Sequence, residues 1–351
     1  MKYFLFIVAS VTIFSGCSTE QRDLYTASLP LLDIEGNWEP SLNQADMSMN
    51  ATALVYSGDG VQLISKNYFS LPRNVTVPLT SGVYNILLFN GMMYSEQQTH
   101  ISSVNFRATD RLSTFEAVVS EGIPNIRLDR SEGEYIASND MEILTSALKE
   151  QEMTDDAAYY IKYKNGKNGG TISGNEYIVA DIEMTPAAVS YECQVVVSLI
   201  NQASAYVANG ALKGFVGSVF MATRMPSHMD VTHQFRLNSL KISPEDSKKG
   251  TIQSPIFVTF GPPLDIPDRI YTLDLCIVLI DGSERNYTFD ITDQITPVIE
   301  KIKSNLNASE PIDVNLIIPI EIMITLPEVE SLGSIGVDEW GDDEIIKVPI
   351  K

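Results

Sequence analysis

A chain of 351 residues with 44% hydrophobic content is long enough for two cores of ordinary size, at ~100 to 200 residues per domain. Its 45 acidic residues against 24 basic ones leave a net charge of −21, which repels nucleic acid and anionic lipid head groups and argues against nucleic acid as a partner. Three cysteines are too few for a disulfide scaffold.

Residues 1–16 have the layout of a secretory signal peptide. Lys2 precedes an apolar run from Tyr3 to Phe14, and Ser15-Gly16 supply the small residues of a cut site. The run is too short for a membrane span, which takes ~20 residues. Ser15-Gly16-Cys17 after a bulky apolar residue resembles the bacterial lipobox, in which the peptide is cut before the cysteine and the cysteine is acylated. That resemblance implies lipid on Cys17; the other reading is a secreted protein with a chance cysteine at its cleavage site. Each buried methylene of an acyl chain contributes about 0.8 kcal/mol, so several chains hold a soluble domain firmly on a membrane. Residues 17–30, opening "CSTEQRD", then form a lipidated leash.

From residue 31 to about 130 strand signals dominate. "ATALVYSGDGVQLI" predicts two strands around Ser57-Gly58-Asp59-Gly60. In "NVTVPLTSGVYNILLFN", Val75, Val77 and Leu79 share a face, Ser81-Gly82 marks a turn, and Val83 to Phe89 is apolar enough for a buried strand. "STFEAVVS" alternates Phe115, Ala117 and Val119. One short helix is predicted at "SNDMEILTSALKEQE", with Asn139 as cap, Glu142 reaching back as in a capping box, and Ile143, Leu144, Ala147 and Leu148 as its apolar stripe. The Lys-, Asn- and Gly-rich "KYKNGKNGGTISGN" places a domain boundary near residues 165 to 175, although Asn-Gly is equally the signature of a long hairpin tip. It lacks the spacing of a phosphate loop.

Residues 171–328 continue the β character. "LDLCIVLIDGSERNYTFDI" is a hairpin signature around Asp281-Gly282. In "VNLIIPIEIMIT", Val314, Leu316, Ile318, Ile320, Ile322 and Ile324 fall on one face, and Pro319 on the other places this strand at a sheet edge or a bulge. Cys193 and Cys276 lie in apolar strand sequences, where they are either bridged to each other or free and buried as small hydrophobes. Helix and strand do not alternate, so a parallel α/β sheet is disfavoured. The fold class is all-β, with two tandem antiparallel β-sandwich domains at 31–170 and 171–328. The acidic tail 329–351 ends in alternating Ile346, Val348 and Ile350, which suit a strand laid into a groove; a disordered end or a last edge strand fits as well.

Groups able to do chemistry are sparse. His228 and His233 are spaced i, i+5, unlike the i, i+4 pair of a zinc helix, and no acidic pair has calcium-loop spacing. Ser218 lies in Gly-Ser-Val-Phe without the second glycine of a nucleophile elbow. No catalytic residue, metal or cofactor is expected. The 15 tyrosines leave room for a glycan or other nutrient ligand.

Several stretches in series resemble the fimbrillin-like lipoproteins, which include anchor and accessory subunits of type V pili. They are "FSGC", "NWEP", "VPLTSGVYNILLFN", "ALKGFVGSVFMAT", "LDLCIVLIDG", "FDITDQI" and "IPIEIMITLPEV", followed by a tail containing "VDEW". The resemblance implies transthyretin-like sandwiches, an outer-membrane location through lipid on Cys17, and a role in surface filaments or adhesion to host or bacterial ligands. It also implies assembly with other fimbrillin-like subunits by strand exchange after cleavage at an arginine. Arg22 is the candidate processing site, with Arg73, Arg107 and Arg111 as others, and Ile346, Val348 and Ile350 are the candidate donor residues. The acidic tail and Pro349 depart from a main polymerising subunit and favour an anchor, tip or accessory protein. The alternative is a lipoprotein that binds glycan or another nutrient as an independent module.

Overall fold

The computed structural model describes residues 31–38, 50–70, 74–91, 104–122, 135–153, 179–307 and 317–329. The strands of the first half are β1 (Leu31–Gly36), β2 (Asn50–Ser57), β3 (Leu63–Ser70), β4 (Val75–Pro78), β5 (Gly82–Asn90), β6 (Val104–Arg107), β7 (Glu116–Val119), β8 (Ile136–Ala137), β9 (Thr145–Met153), β10 (Val179–Met184) and β11 (Ala187–Ala188). The second half holds β12 (Tyr191–Ile200), β13 (Ala205–Val216), β14 (Ser218–Phe220), β15 (Met225–Pro226), β16 (Asp230–Ile242), β17 (Lys249–Gln253), β18 (Phe257–Thr259), β19 (Thr272–Leu279), β20 (Glu284–Asp290), helix α1 (Thr292–Asn307) and β21 (Ile317–Thr325). The fold is therefore all-β with a single α-helix among the described residues.

In the first half, a sheet ordered β10-β1-β4 faces another ordered β11-β9-β5-β2-β3. Leu32 and Ile34 of β1 meet Ala53 and Val55 of β2, Ile86 and Leu88 of β5, and Ile182 and Met184 of β10 in one core. The other face of β2 and β5 is also covered: Leu54, Tyr56, Leu87 and Phe89 pack with Phe115, Ala117, Val216 and Val219. Burial on both faces explains why "TALVY" and "ILLF" read as continuous apolar runs rather than as alternation. The second cover is a small sheet ordered β15-β14-β7-β6, built from strands of both halves of the chain.

The second half wraps one large core. β12 alternates strictly, with Tyr191, Cys193, Val195, Val197 and Leu199 buried. They meet Leu273, Leu275 and Ile277 of β19, Ile295, Val298 and Ile302 of α1, and Ile318, Ile320 and Ile324 of β21. β10 and β11 pair with first-half strands, and β12 begins the second sheet at Tyr191. The Lys/Asn/Gly stretch expected to mark the boundary lies outside the described residues.

The expected hairpins are present. β2 and β3 pair around Ser57 to Gly60, where the Ser57 hydroxyl donates to Asp59. β19 and β20 turn at Asp281-Gly282, and Gly282 takes the left-handed conformation (φ 81°) that suits a residue without Cβ. β21 pairs only with β12 among described strands and is an edge, one of the two settings that Pro319 allowed. Cys193 and Cys276 are buried and not bridged to each other, which settles the choice left open by the sequence.

The predicted helix over "SNDMEILTSALKEQE" is not one. Its residues from Thr145 form β9, in register with β5 from Ser146 opposite Phe89 to Met153 opposite Gly82. Asn139, expected as cap, instead donates to the Gln234 carbonyl at 2.5 Å. The Leu, Lys and Glu of this stretch do favour a helix, but β5 needs a second neighbour for its backbone, and that pairing overrides local propensity. The helix lies at α1, where Ile291, Ile295, Val298 and Ile302 supply a stripe at helical spacing and Pro297 falls inside. Asp290 accepts the Thr292 N–H at its start, at 2.9 Å.

Candidate functional site

If strands are exchanged here, the geometry to judge is that of β1 in its sheet. β1 is the central strand, parallel to β10 from Leu31 opposite Val179 to Gly36 opposite Met184, and antiparallel to β4. Leu32 and Ile34 are completely buried, a burial that contributes roughly 1.5–3 kcal/mol per side chain. The carboxylate of Asp33 accepts from Asn74 Nδ2 at 2.6 Å and Thr76 Oγ1 at 3.2 Å, which ties β1 to the segment carrying β4. On the β10 side the register sets the exposed carboxylates Glu35 and Glu183 next to each other. Trp38 lies across Gly36, where a Cβ would stand 2.3 Å from the indole nitrogen, so only glycine admits the ring. Taking β1 away would leave unpaired backbone on both β4 and β10 and an open slot lined by Ala53, Val55, Ile86 and Leu88, which another apolar strand could fill.

Cys17, Arg22, Arg73, Ile346, Val348 and Ile350, the residues that sequence reasoning selected for anchoring, processing and donation, all lie outside the described residues. The two remaining candidate arginines differ in setting. Arg107 closes β6 and its Nε donates to Glu116 Oε2 at 2.6 Å, while Arg111 stands exposed in the β6–β7 connection.

Glu116 itself was missed. Its carboxylate is buried in the small shared sheet, where Oε1 accepts from the Ser218 hydroxyl; Ser218 in turn shares a hydrogen bond with Ser227. A lone carboxylate inside the apolar "FEAVV" was the available signal. Hydrogen bonding to Glu116 holds the Arg107 guanidinium above its ordinary pKa. Ser218 is a strand serine, as the sequence indicated, with a carboxylate and a second serine as its side-chain partners.

His228 is exposed beside Asp265 at 3.5 Å, whereas His233 is buried on β16, stacked on Phe257 at 5.3 Å. Neither ring nitrogen of His233 has a hydrogen-bond partner, and burial lowers its pKa to about 4. No group of three metal-ligating side chains exists among the described residues. Of the described tyrosines only Tyr68 on β3 and Tyr206 on β13 are strongly exposed, and they stand on different sheets. Desolvation raises the Tyr191 hydroxyl to about 12 and the Cys193 thiol beyond reach of ordinary pH.

This two-part, sheet-on-sheet architecture is shared with proteins named as adhesins. A "putative adhesin" from Bacteroides ovatus matches with a TM-score of 0.53 at 14% identity, over 86% of this chain and 94% of its own. A second protein of that name, from Bacteroides thetaiotaomicron, matches with a TM-score of 0.53 at 11% identity, over 85% and 92%. A weaker likeness, TM-score 0.44 at 14% identity over 85% and 90%, is to the fimbrial anchor protein Mfa2 from Porphyromonas gingivalis. No family model matches the sequence, and no curated protein is similar to it. The likeness is one of fold.

Proposed function

We propose that this chain is a non-enzymatic, lipid-anchored cell-surface protein of a fimbria-like assembly, serving as an anchor, tip or accessory subunit. The observation that carries the reading is the fold shared with the two Bacteroides proteins over at least 85% of this chain, joined to a lipobox-like start at Cys17. Cys17 is the lipid attachment point to the outer membrane. The chain is organised as two tandem domains, with 31–170 and 171–328 as the bounds read from the sequence and with β10 and β11 paired to strands of the first. Other fimbrillin-like subunits engage by strand complementation, with β1 as the strand whose place a donor takes and Ile346, Val348 and Ile350 as side chains offered to a neighbour. Support for that arrangement is the central position of β1 and the apolar slot beneath it.

The test is the mass and chemistry of the mature N-terminus, taken from native membranes. A chain beginning at acylated Cys17 supports an anchor or accessory role. A chain beginning after an internal arginine makes it a polymerising subunit, and an unprocessed Met1 overturns the location.

A further inference from the structure

The outer edge of β21 is closed by a side chain from the helix. Among the described residues β21 bonds to β12 on one side only, so its backbone alternates between groups aimed at β12 and groups aimed outward. Glu321 belongs to the outward set. Its N–H donates to Gln294 Oε1 at 2.9 Å, and its carbonyl accepts from Gln294 Nε2 at 3.0 Å. One carboxamide thus makes both bonds that a residue opposite Glu321 in an added antiparallel strand would make. Two residues earlier, Pro319 occupies the same outward set and has no N–H to offer.

Gln294 is held firmly for this task. It lies in the first turn of α1, where Ile291 and Ile295 are buried and the Thr292 hydroxyl accepts the Tyr271 N–H at 3.1 Å. What it covers is hazardous. The stretch "IEIMIT", Ile320 to Thr325, is β-branched and apolar with one charge, and Met323 is 72% exposed. A strand of that composition with an open edge would pair with its own copy.

We propose that Gln294 is a guard residue that stands in for a neighbouring strand and restricts β21 to pairing within its own chain. The claim is independent of the proposed function. It predicts that the full mature chain does not associate through β21, and that Gln294→Ala opens the edge. By hydrogen exchange, the Glu321 amide of the variant should exchange at least ten-fold faster at low concentration. By sedimentation velocity the variant should self-associate as concentration rises, with protection returning at Glu321, Met323 and Thr325. Gln294→Asn, whose shorter amide falls short of Glu321, should do the same and replaces the alanine variant if that one does not fold. Unchanged exchange at Glu321, a folded variant that stays monomeric at every concentration, or a wild-type chain already paired through β21 would each overturn the proposal.

Discussion

Glu116 on β7 accepts a hydrogen bond from Ser218 on β14, 102 positions further along the chain. This contact sits in a small sheet to which both halves of the chain contribute, and it joins them with a buried polar bond rather than with apolar packing alone. Replacing Glu116 by Ala removes the acceptor for Ser218 and for Arg107 and leaves a void beside Ser227. The expected loss is about 2–3 kcal/mol in urea denaturation. Glu116→Gln, which keeps one acceptor oxygen, should lose roughly 1 kcal/mol. An unchanged stability in the glutamine variant would mean that the side chain acts only by filling space, and equal losses in the two variants would mean that only the charged carboxylate counts.

His233 makes the protein sensitive to acid. Its folded pKa of about 4 lies below the unfolded value of 6.5, so the unfolded chain binds the proton first as pH falls. Stability is therefore full above pH 6.5 and declines towards pH 4. From these two values about 2 kcal/mol should vanish between pH 7 and pH 5. His233→Phe keeps an aromatic ring on Phe257 and removes the titration, so denaturation midpoints of this variant should fall less between the same two pH values.

Gly36→Ala forces the Trp38 ring off β1, because the new Cβ would meet its indole nitrogen with Leu88 behind it. A loss of roughly 1–3 kcal/mol is expected from such overpacking. With Trp340 replaced by Phe, Trp38 is the sole tryptophan, and its emission should shift to the red in the alanine variant as the ring leaves its buried site.

The native protein should show no reaction of Cys193 or Cys276 with a maleimide, since both thiols are buried and neither is in a disulfide. Both should react once the chain is unfolded in guanidinium without reductant. Modification of either in the native state would place it in a segment that opens locally.

Much of this fold was legible because its strands carry their own signals. Asp281-Gly282 between apolar and alternating runs, and Pro319 opposite an isoleucine face, each announce one local geometry. β9 was not legible, because Ala147, Leu148, Lys149 and Glu150 favour a helix and only β5, some sixty residues earlier, makes them a strand. α1 was overlooked although its stripe of Ile295, Val298 and Ile302 is present in the sequence; Pro297 in the middle and a strand running directly into it obscure the change of period. The slot around β1 depends on β10, nearly 150 residues away, and the Gln294–Glu321 pair on a helix and a strand that no sequence pattern links. Long-range register of this kind leaves no trace in local composition.

Two of the parallel pairings among the described residues have a consequence for how the chain reaches its native state. β1 waits for β10, and β12 waits for β21, so each half closes around contacts of very high sequence separation. Such topologies fold slowly, because loop closure must precede the contacts that reward it. A ribosome releasing this chain from its N-terminus exposes β12 long before Ile318, Ile320 and Ile324 exist to cover the core beside it. The second core can close only when synthesis is almost finished, which keeps the chain open for any step that handles it as an unfolded thread.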